Sequence, residues 1–242
     1  MRIAILSDIH SNIEALDAVL SATDEAGCER AIVLGDIVGY GADPDAVIAR
    51  LRDRDAITIA GNHDLAATGA FDVTWFNEVA AAAIEWTKEA LSPEGKDFLT
   101  SLQPKRETEH GLLVHGSVRD PVAEYLLSAD EAAASFELAP FSLAFFGHTH
   151  FPTVFRRRPD GHVMGWVLAE GEEIEFVEGE RYMLNPGSVG QPRDRDPRAA
   201  FIVFDDGRAV GHRVPYPIEQ AAKKIRAAGL PGWLADRLSL GE

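Results

Sequence analysis

Residues 1–10 read Met1-Arg2-Ile3-Ala4-Ile5-Leu6-Ser7-Asp8-Ile9-His10. The apolar run over 2–7 has the character of a buried strand. It ends at a carboxylate and an imidazole two residues apart. Open α/β sheets build their sites outside the carboxyl ends of their strands, which is where this placement puts two metal-ligand types. The same juxtaposition recurs along the chain. Gly35-Asp36 follows Ala31-Ile32-Val33-Leu34, and Gly61-Asn62-His63-Asp64 follows the run 56–60. His115-Gly116 ends Leu112-Leu113-Val114, and Gly147-His148-Thr149-His150 follows Leu143-Ala144-Phe145-Phe146.

The segments between these motifs supply the crossovers. Ile13, Leu16, Val19 and Leu20 recur at helical spacing within 12–26, and Gly27 is the stop. Asp43 is expected to cap a helix with Pro44 at its first position, running to about Asp53. The resulting βαβαβ order implies a parallel sheet with right-handed connections. Residues 73–103 read as helical, a long helix followed by a shorter one that starts at Ser92-Pro93-Glu94. A further helix is expected over 128–135. After residue 150 the texture changes to short β-rich runs at 151–157, 162–168, 173–177, 181–184, 200–204 and 208–214. These are broken by Gly, Pro and Asp and read as an antiparallel meander. Residues 217–227 and 231–240 read as closing helices. The economical organisation is one domain over 1–242 with two packed sheets.

Composition narrows the partners. Of 242 residues, 46% are hydrophobic, enough for a substantial core. No run of about 18 apolar residues is present, so no membrane span is expected. The opening apolar run is too short for a signal peptide, which makes a cytoplasmic location the default. The single Cys28 cannot pair within the chain and reads as an ordinary small thiol. The net charge of −16 disfavours stable nucleic-acid binding and a nuclease acting on long polymers. A phosphate substrate would therefore need a local positive centre. Arg156-Arg157-Arg158 and Arg193, Arg195 and Arg198 read as solvated strand or loop residues, the second group being the alternative candidate for touching substrate. Open sheet edges and the apolar residues around Trp75 and Trp166 can support a homodimer.

The motifs supply seven candidate ligands, Asp8, His10, Asp36, Asn62, His115, His148 and His150, and one spare histidine, His63. Asp8 and His10 would point the same way from an extended segment, as would His148 and His150, so each pair can clasp one ion. The Asp36 carboxylate can bridge two cations, which a single nitrogen cannot. Mixed nitrogen and oxygen ligands without thiolate suit Mn²⁺, Fe, Zn²⁺ or Co²⁺. Two divalent ions with two carboxylates and a hydroxide leave roughly one net positive charge, enough to attract a phosphate. His63 is free to protonate a leaving oxygen, and Asp64 is placed to hold its tautomer. His110, His162 and His212 lie in polar or strand-edge contexts and read as non-functional.

The ordered set Asp-x-His, Gly-Asp, Gly-Asn-His-Asp, His-Gly and Gly-His-Thr-His resembles the calcineurin-like metallophosphoesterase family over about residues 1–215. Gly35-Asp36-Ile37-Val38-Gly39-Tyr40-Gly41 and Asn185-Pro186-Gly187-Ser188-Val189-Gly190-Gln191-Pro192 are similar to its small bacterial and archaeal phosphodiesterase branch. The resemblance implies an α/β fold, a four-layer αββα sandwich of two mixed sheets flanked by helices. It implies a first metal held by Asp8, His10, Asp36 and His150. A second would be held by Asp36 as bridge, Asn62, His115 and His148, with His63 as the catalytic histidine. The implied cofactors are two divalent ions, with Mn first and Fe, Zn, Co or Ni as alternatives. The implied reaction is hydrolysis of a phosphodiester, or of a small phosphate ester or nucleotide, by direct attack of a metal-bridging hydroxide. Protein phosphatases of the family carry an Asp-Arg-Gly after Gly-Asp whose Arg grips phosphate. Gly39-Tyr40-Gly41 stands there instead, which argues against that activity and favours diesters. The competing reading is a catalytically silent interaction scaffold on the same fold, distinguished by loss of ligands, and here none is lost. The Asn185–Pro192 segment reads either as a Pro-Gly turn joining strands or as a substrate contact.

Overall fold

The structure is a computed structural model that describes residues 1–205 and 207–242. The opening run forms β1 (Ile3–Leu6), and the next helical stretch forms α1 (Ile13–Glu25), capped by Asn12 Oδ1 accepting from the Ala15 amide. β2 (Arg30–Val33) pairs parallel to β1, and β3 (Ile57–Thr58) parallel to β2. α2 (Pro44–Asp53) lies between β2 and β3 and starts on Pro44. The expected Asp43 cap is not made. The Asp43 carboxylate instead accepts from Lys224 Nζ at 2.8 Å.

α3 (Asn62–Thr68), a 3-10 turn over Val73–Trp75, α4 (Glu78–Ala90) and α5 (Pro93–Ser101) follow. α3 lies on the Gly-Asn-His-Asp motif. Its seven residues are too few for a periodic apolar signal, so the sequence shows only the motif there. β4 (Lys105–Thr108) also escapes sequence reading, because the edge strand Lys-Arg-Glu-Thr is polar throughout. Then come β5 (Gly111–Val114), α6 (Ala129–Leu138) and β6 (Leu143–Phe145).

The β-rich half is not a separate meander. β7 (Thr153–Arg157), β8 (Val163–Val167) and β10 (Arg181–Asn185) join β4, β5 and β6 in one six-stranded sheet, ordered β4-β5-β6-β10-β7-β8. β9 (Glu173–Glu175), β11 (Ala199–Asp205) and β12 (Arg208–Val214) join the first three strands in the order β3-β2-β1-β11-β12-β9. The local pairs β7–β8 and β11–β12 are antiparallel as expected, but β10 runs parallel to β6, so both sheets are mixed. α7 (Ile218–Ala227) and α8 (Gly232–Asp236) close the chain.

Strand alternation explains the layers. Ile3, Ile5, Ile32 and Ile202 pack with Phe145, Leu113 and Leu184 in a core between the two sheets. Ala4, Leu6, Val33, Phe201 and Val203 point the other way and bury α1, α2 and α7. Leu112, Val114, Phe146 and Met183 cover the outer face of the second sheet with Phe136 of α6. The result is the αββα sandwich. The carboxyl ends of β1, β2, β3, β5 and β6 are followed directly by the five motifs. Among the described residues, no helix is long and apolar enough to cross a membrane.

Phe145 is fully buried between the sheets and meets Phe204 edge-on with ring centroids 5.5 Å apart. Phe145→Ala is expected to destabilise the fold by about 3–5 kcal/mol, read as a lowered urea midpoint. An unchanged midpoint would show that the inter-sheet layer is not what holds the sheets together.

Candidate metal centre

The five strand-end motifs converge. Ligand atoms of Asp8, His10, Asp36 and His150 lie within 4.8 Å of one another, as do those of Asp36, His115 and His148, and every one of these residues is buried. Asp36 belongs to both groups. Its Oδ1 accepts from the His63 amide at 2.9 Å. Its Oδ2 stands 3.6 Å from His10 Nε2 and 3.3 Å from His115 Nε2. The carboxylate is thus pinned by one oxygen and presents the other between two sets of imidazoles. Asn62 joins the second group, with Oδ1 3.1 Å from His115 Nε2.

The donor chemistry tests whether cations fit. An imidazole nitrogen bonded to a carbonyl oxygen carries the proton, which leaves a lone pair on the other. His10 Nδ1 donates to Val38 O at 3.1 Å, His150 Nδ1 to Gln191 O at 2.6 Å and His115 Nδ1 to Leu34 O at 2.7 Å. Their Nε2 atoms are therefore acceptors. Yet His10 Nε2 and His150 Nε2 face each other at 3.1 Å, with Asp8 Oδ1 3.2 Å from the latter and otherwise unpartnered. His148 Nε2 is held by Ala123 O at 3.1 Å, which turns its Nδ1 lone pair free. Lone pairs converging on lone pairs in a buried space are stable only around positive charge. Carbonyl-anchored imidazoles are also how proteins orient histidine ligands to a metal. Two buried His/Asp clusters consistent with a dinuclear metal site result.

The protein's own charges show the same demand. Burial opposes ionisation of Asp36, but His115 and His63 hold its carboxyl well below the usual range. Burial would lower His115, yet the Asp36 charge beside it lifts its pKa to about 9. Asp8 is likewise lowered against its burial, by His150.

The backbone that presents these groups is not extended. Asp8, His10, Asp36, His148 and His150 all have φ between 50° and 65°. Left-handed non-glycine residues cost of order 1 kcal/mol or more each and persist where surrounding contacts fix them. Side-chain alternation therefore does not explain the paired ligands. Asp8 and His10 do serve one cluster, but His148 and His150 are split between the two, as the family resemblance implies.

Asp64 does not hold the His63 tautomer. Its Oδ1 accepts from the Ile37 and Val38 amides at 2.9 and 3.1 Å, and its Oδ2 from the Gly61 amide at 2.9 Å. It ties the Asp36 loop to the start of α3. Burial and then the Asp36 charge still push its carboxyl up to about 7. His63 Nδ1 is buried without a partner. Its ring packs between Tyr40, 4.4 Å away, and Phe76, 4.9 Å away, beside the clusters but in neither. Burial lowers its pKa to about 4.

The Asn185–Pro192 segment is a brace. Asn185 Nδ2 donates to Gly147 O at 2.7 Å, Ser188 Oγ donates to Asp8 O at 2.7 Å, and Gln191 O receives His150 Nδ1. Gly190 N donates to Asp8 O at 3.0 Å, and a Cβ on Gly190 would collide with Ile9 O. The segment also delivers Arg193, which lines the cavity in front of the clusters. Arg193 Nη2 donates to Gln191 Oε1 at 2.9 Å, its Nε is buried without a partner, and its guanidinium lies 5.8 Å from the Tyr40 ring. Burial raises the Tyr40 and Tyr125 phenols, and Arg193 pulls both back. Arg198 pairs instead with Glu170 and Asp196, and Arg157 with Glu137. Among the described residues, His110, His162 and His212 are in neither cluster.

A family model for the calcineurin-like phosphoesterase superfamily domain matches residues 1–207. The chain belongs to that family. It is 38% identical over 245 positions to the uncharacterised protein MJ0912 of Methanocaldococcus jannaschii, covering 99% of this chain and 98% of that protein. Its fold superposes on a metallophosphoesterase from Sphaerobacter thermophilus with a TM-score of 0.88 and 41% identity, covering 100% and 99% of the two chains. The protein PH1004 of Pyrococcus horikoshii shares the fold, with a TM-score of 0.81, 21% identity and coverage of 100% and 98%.

Because a side chain at 190 would strike the Ile9 carbonyl between Asp8 and His10, Gly190→Ala is expected to lower stability by about 1–3 kcal/mol. A thermal melt checks this, and an unaltered melting temperature would mean that the brace can retreat without cost.

Proposed function

We propose that this metallophosphoesterase hydrolyses phosphodiester bonds, or small phosphate esters, with two divalent metal ions, of which Mn²⁺ is the first choice. The observation that carries the reading is the shared Asp36 Oδ2 between two sets of imidazole lone pairs. Asp8, His10, Asp36 and His150 would hold one ion, and Asp36, Asn62, His115 and His148 the other. The donors are nitrogen and oxygen without thiolate, which suits Mn²⁺ and leaves Fe, Zn, Co and Ni as alternatives. Bound there, two such ions would neutralise the phosphoryl oxygens and supply an activated water for in-line attack.

The chain's own residues complete the chemistry. Arg193 is the cation of the cavity wall, and its fork geometry matches phosphate oxygens. The missing arginine after Gly-Asp thus does not leave the site without a phosphate grip, because another loop provides one. That absence therefore does not by itself favour diesters, and the shape of the cavity does. The cavity of about 180 Å³ extends past the metal end toward Phe71 and Trp75, which leaves room for an alcohol arm of the ester. His63 lies beside the clusters without being bound to them, placed to give a proton to the leaving oxygen. Among the described residues, the cavity wall contains no Ser, Thr or Cys, so none of these side chains stands there as a covalent nucleophile.

Two sets of variants test this. Asp36→Ala is expected to abolish most bound metal, counted by mass spectrometry, and with it Mn²⁺-restored turnover of a bis-aryl phosphodiester. His63→Ala should keep its metal and lose about 10²–10⁴-fold in rate. A His63→Ala protein that has lost its metal would refute the proton-donor role. Arg193→Gln should retain metal and lose about 10–100-fold in kcat/KM, the equivalent of a charge-assisted hydrogen bond. Undiminished kcat/KM would remove Arg193 from the substrate's contacts.

A further inference from the structure

The cavity in front of the clusters has two unlike ends. One is floored by Asp36, Asn62, His148 and His150, with Arg193 beside them. The other is walled by Phe71, Trp75 and Phe76. Trp75 is 78% exposed, an unusual state for a side chain whose area is normally mostly buried. It stands on a fixed turn. The Thr74 amide donates to Asp72 Oδ1 at 2.9 Å, Trp75 N to Asp72 O at 3.2 Å, and Phe76 N to Val73 O at 3.1 Å. From this turn the rings run inward in file. Trp75 to Phe71 is 6.5 Å between centroids, Phe71 to Phe76 is 5.8 Å, and Phe76 to His63 is 4.9 Å. An aromatic strip thus leads from solvent to the histidine at the reaction centre. Across the cavity Tyr125, 47% exposed, lies stacked on His148 at 3.9 Å.

We infer that this strip is a subsite for a planar aromatic ring carried by the alcohol of the phosphate ester, as a nucleobase or an aryl group presents. The inference rests on the phosphoesterase reading above. With the phosphate fixed at the metal and Arg193 end, the cavity wall that Phe71, Trp75 and Phe76 form offers the alcohol arm a row of π faces. Stacking on an exposed aromatic is favourable for any planar π ring and gives a short aliphatic alcohol far less. The net charge of −16 keeps the occupant small, since a long polyanion would be repelled outside the cavity. The strip is continuous with the catalytic cavity, which points to substrate rather than a second copy of the chain as its occupant.

Isothermal titration of the Mn²⁺-loaded protein with non-hydrolysable phosphonates tests this without relying on turnover. Adenosine 5′-methylenephosphonate is compared with ribose 5-methylenephosphonate, and phenylphosphonate with ethylphosphonate. The ring-bearing member of at least one pair is expected to bind about 10-fold more tightly. Trp75→Ala should bring that pair to parity while leaving the ringless ligand's Kd unchanged. A gain confined to the adenosine pair identifies a nucleobase subsite, and a gain in both identifies a subsite for rings in general. Parity in the wild-type protein, or a gain that survives both Trp75→Ala and Phe71→Ala, overturns the inference. So does sedimentation showing a dimer that Trp75→Ala dissociates, because another copy would then cover the strip. Turnover of a bis-aryl phosphodiester alongside parity would sink the subsite alone. Absence of both turnover and Mn²⁺-dependent phosphonate binding would sink the phosphoesterase reading with it.

Discussion

Asp36 Oδ2 stands between two groups of imidazole lone pairs, and much of the structure around it serves to keep it there. The opposite oxygen is tied to the His63 amide. The amides of Ile37 and Val38, next in the chain, are tied to Asp64, which is itself tied to Gly61 at the start of α3. This explains why a fully buried carboxylate that burial would rather neutralise sits at Asp64. It accepts from three backbone amides and so ties two segments, the Asp36 loop and the start of α3, around its neighbour instead of serving His63. A side chain that reads as a catalytic partner in one dimension is a structural keystone in three.

The fold was legible where the signal was periodic apolar burial. β1, β2, α1, α2 and the βαβαβ order follow from strand and helix spacing alone. Two things were not legible. Which sheet each late strand joins depends on long-range register, and short β-rich runs carry no mark that sends β10 beside β6 and β11 beside β1. Polar β4 and seven-residue α3 lack the apolar pattern on which such reading depends.

The site was legible in its residues and misread in its geometry. The seven candidate ligands come together, but five of them, Asp8, His10, Asp36, His148 and His150, do so through left-handed backbone rather than alternating strands. On Asp and His that conformation has only a weak residue-type signature, a mild enrichment that a single sequence does not display. The brace from Asn185 to Gln191 was visible only as an ambiguous turn, because its work is done by backbone carbonyls and amides that a sequence does not display. Arg193 was named only as one of three arginines in an alternative substrate-contact group, for a related reason. It follows the brace by two residues, and its neighbours Arg195 and Arg198 share its composition without its placement.

An acidic protein that handles phosphate must confine attraction to one place. Here the exposed arginines are largely spent on surface carboxylates, as Arg198 is on Glu170 and Asp196, and Arg208 on Glu173. Among the described residues, Arg193 is the arginine that lines the cavity in front of the clusters, and its Nη2 is held by a glutamine rather than by a carboxylate. Exposed ion pairs of this kind contribute little to stability. Pairing of this kind offsets those positive charges at the surface, on a chain whose net charge is −16. Under the proposed reading, the same net charge of −16 argues for a small ester over a long polyanion, which the surface as a whole would repel.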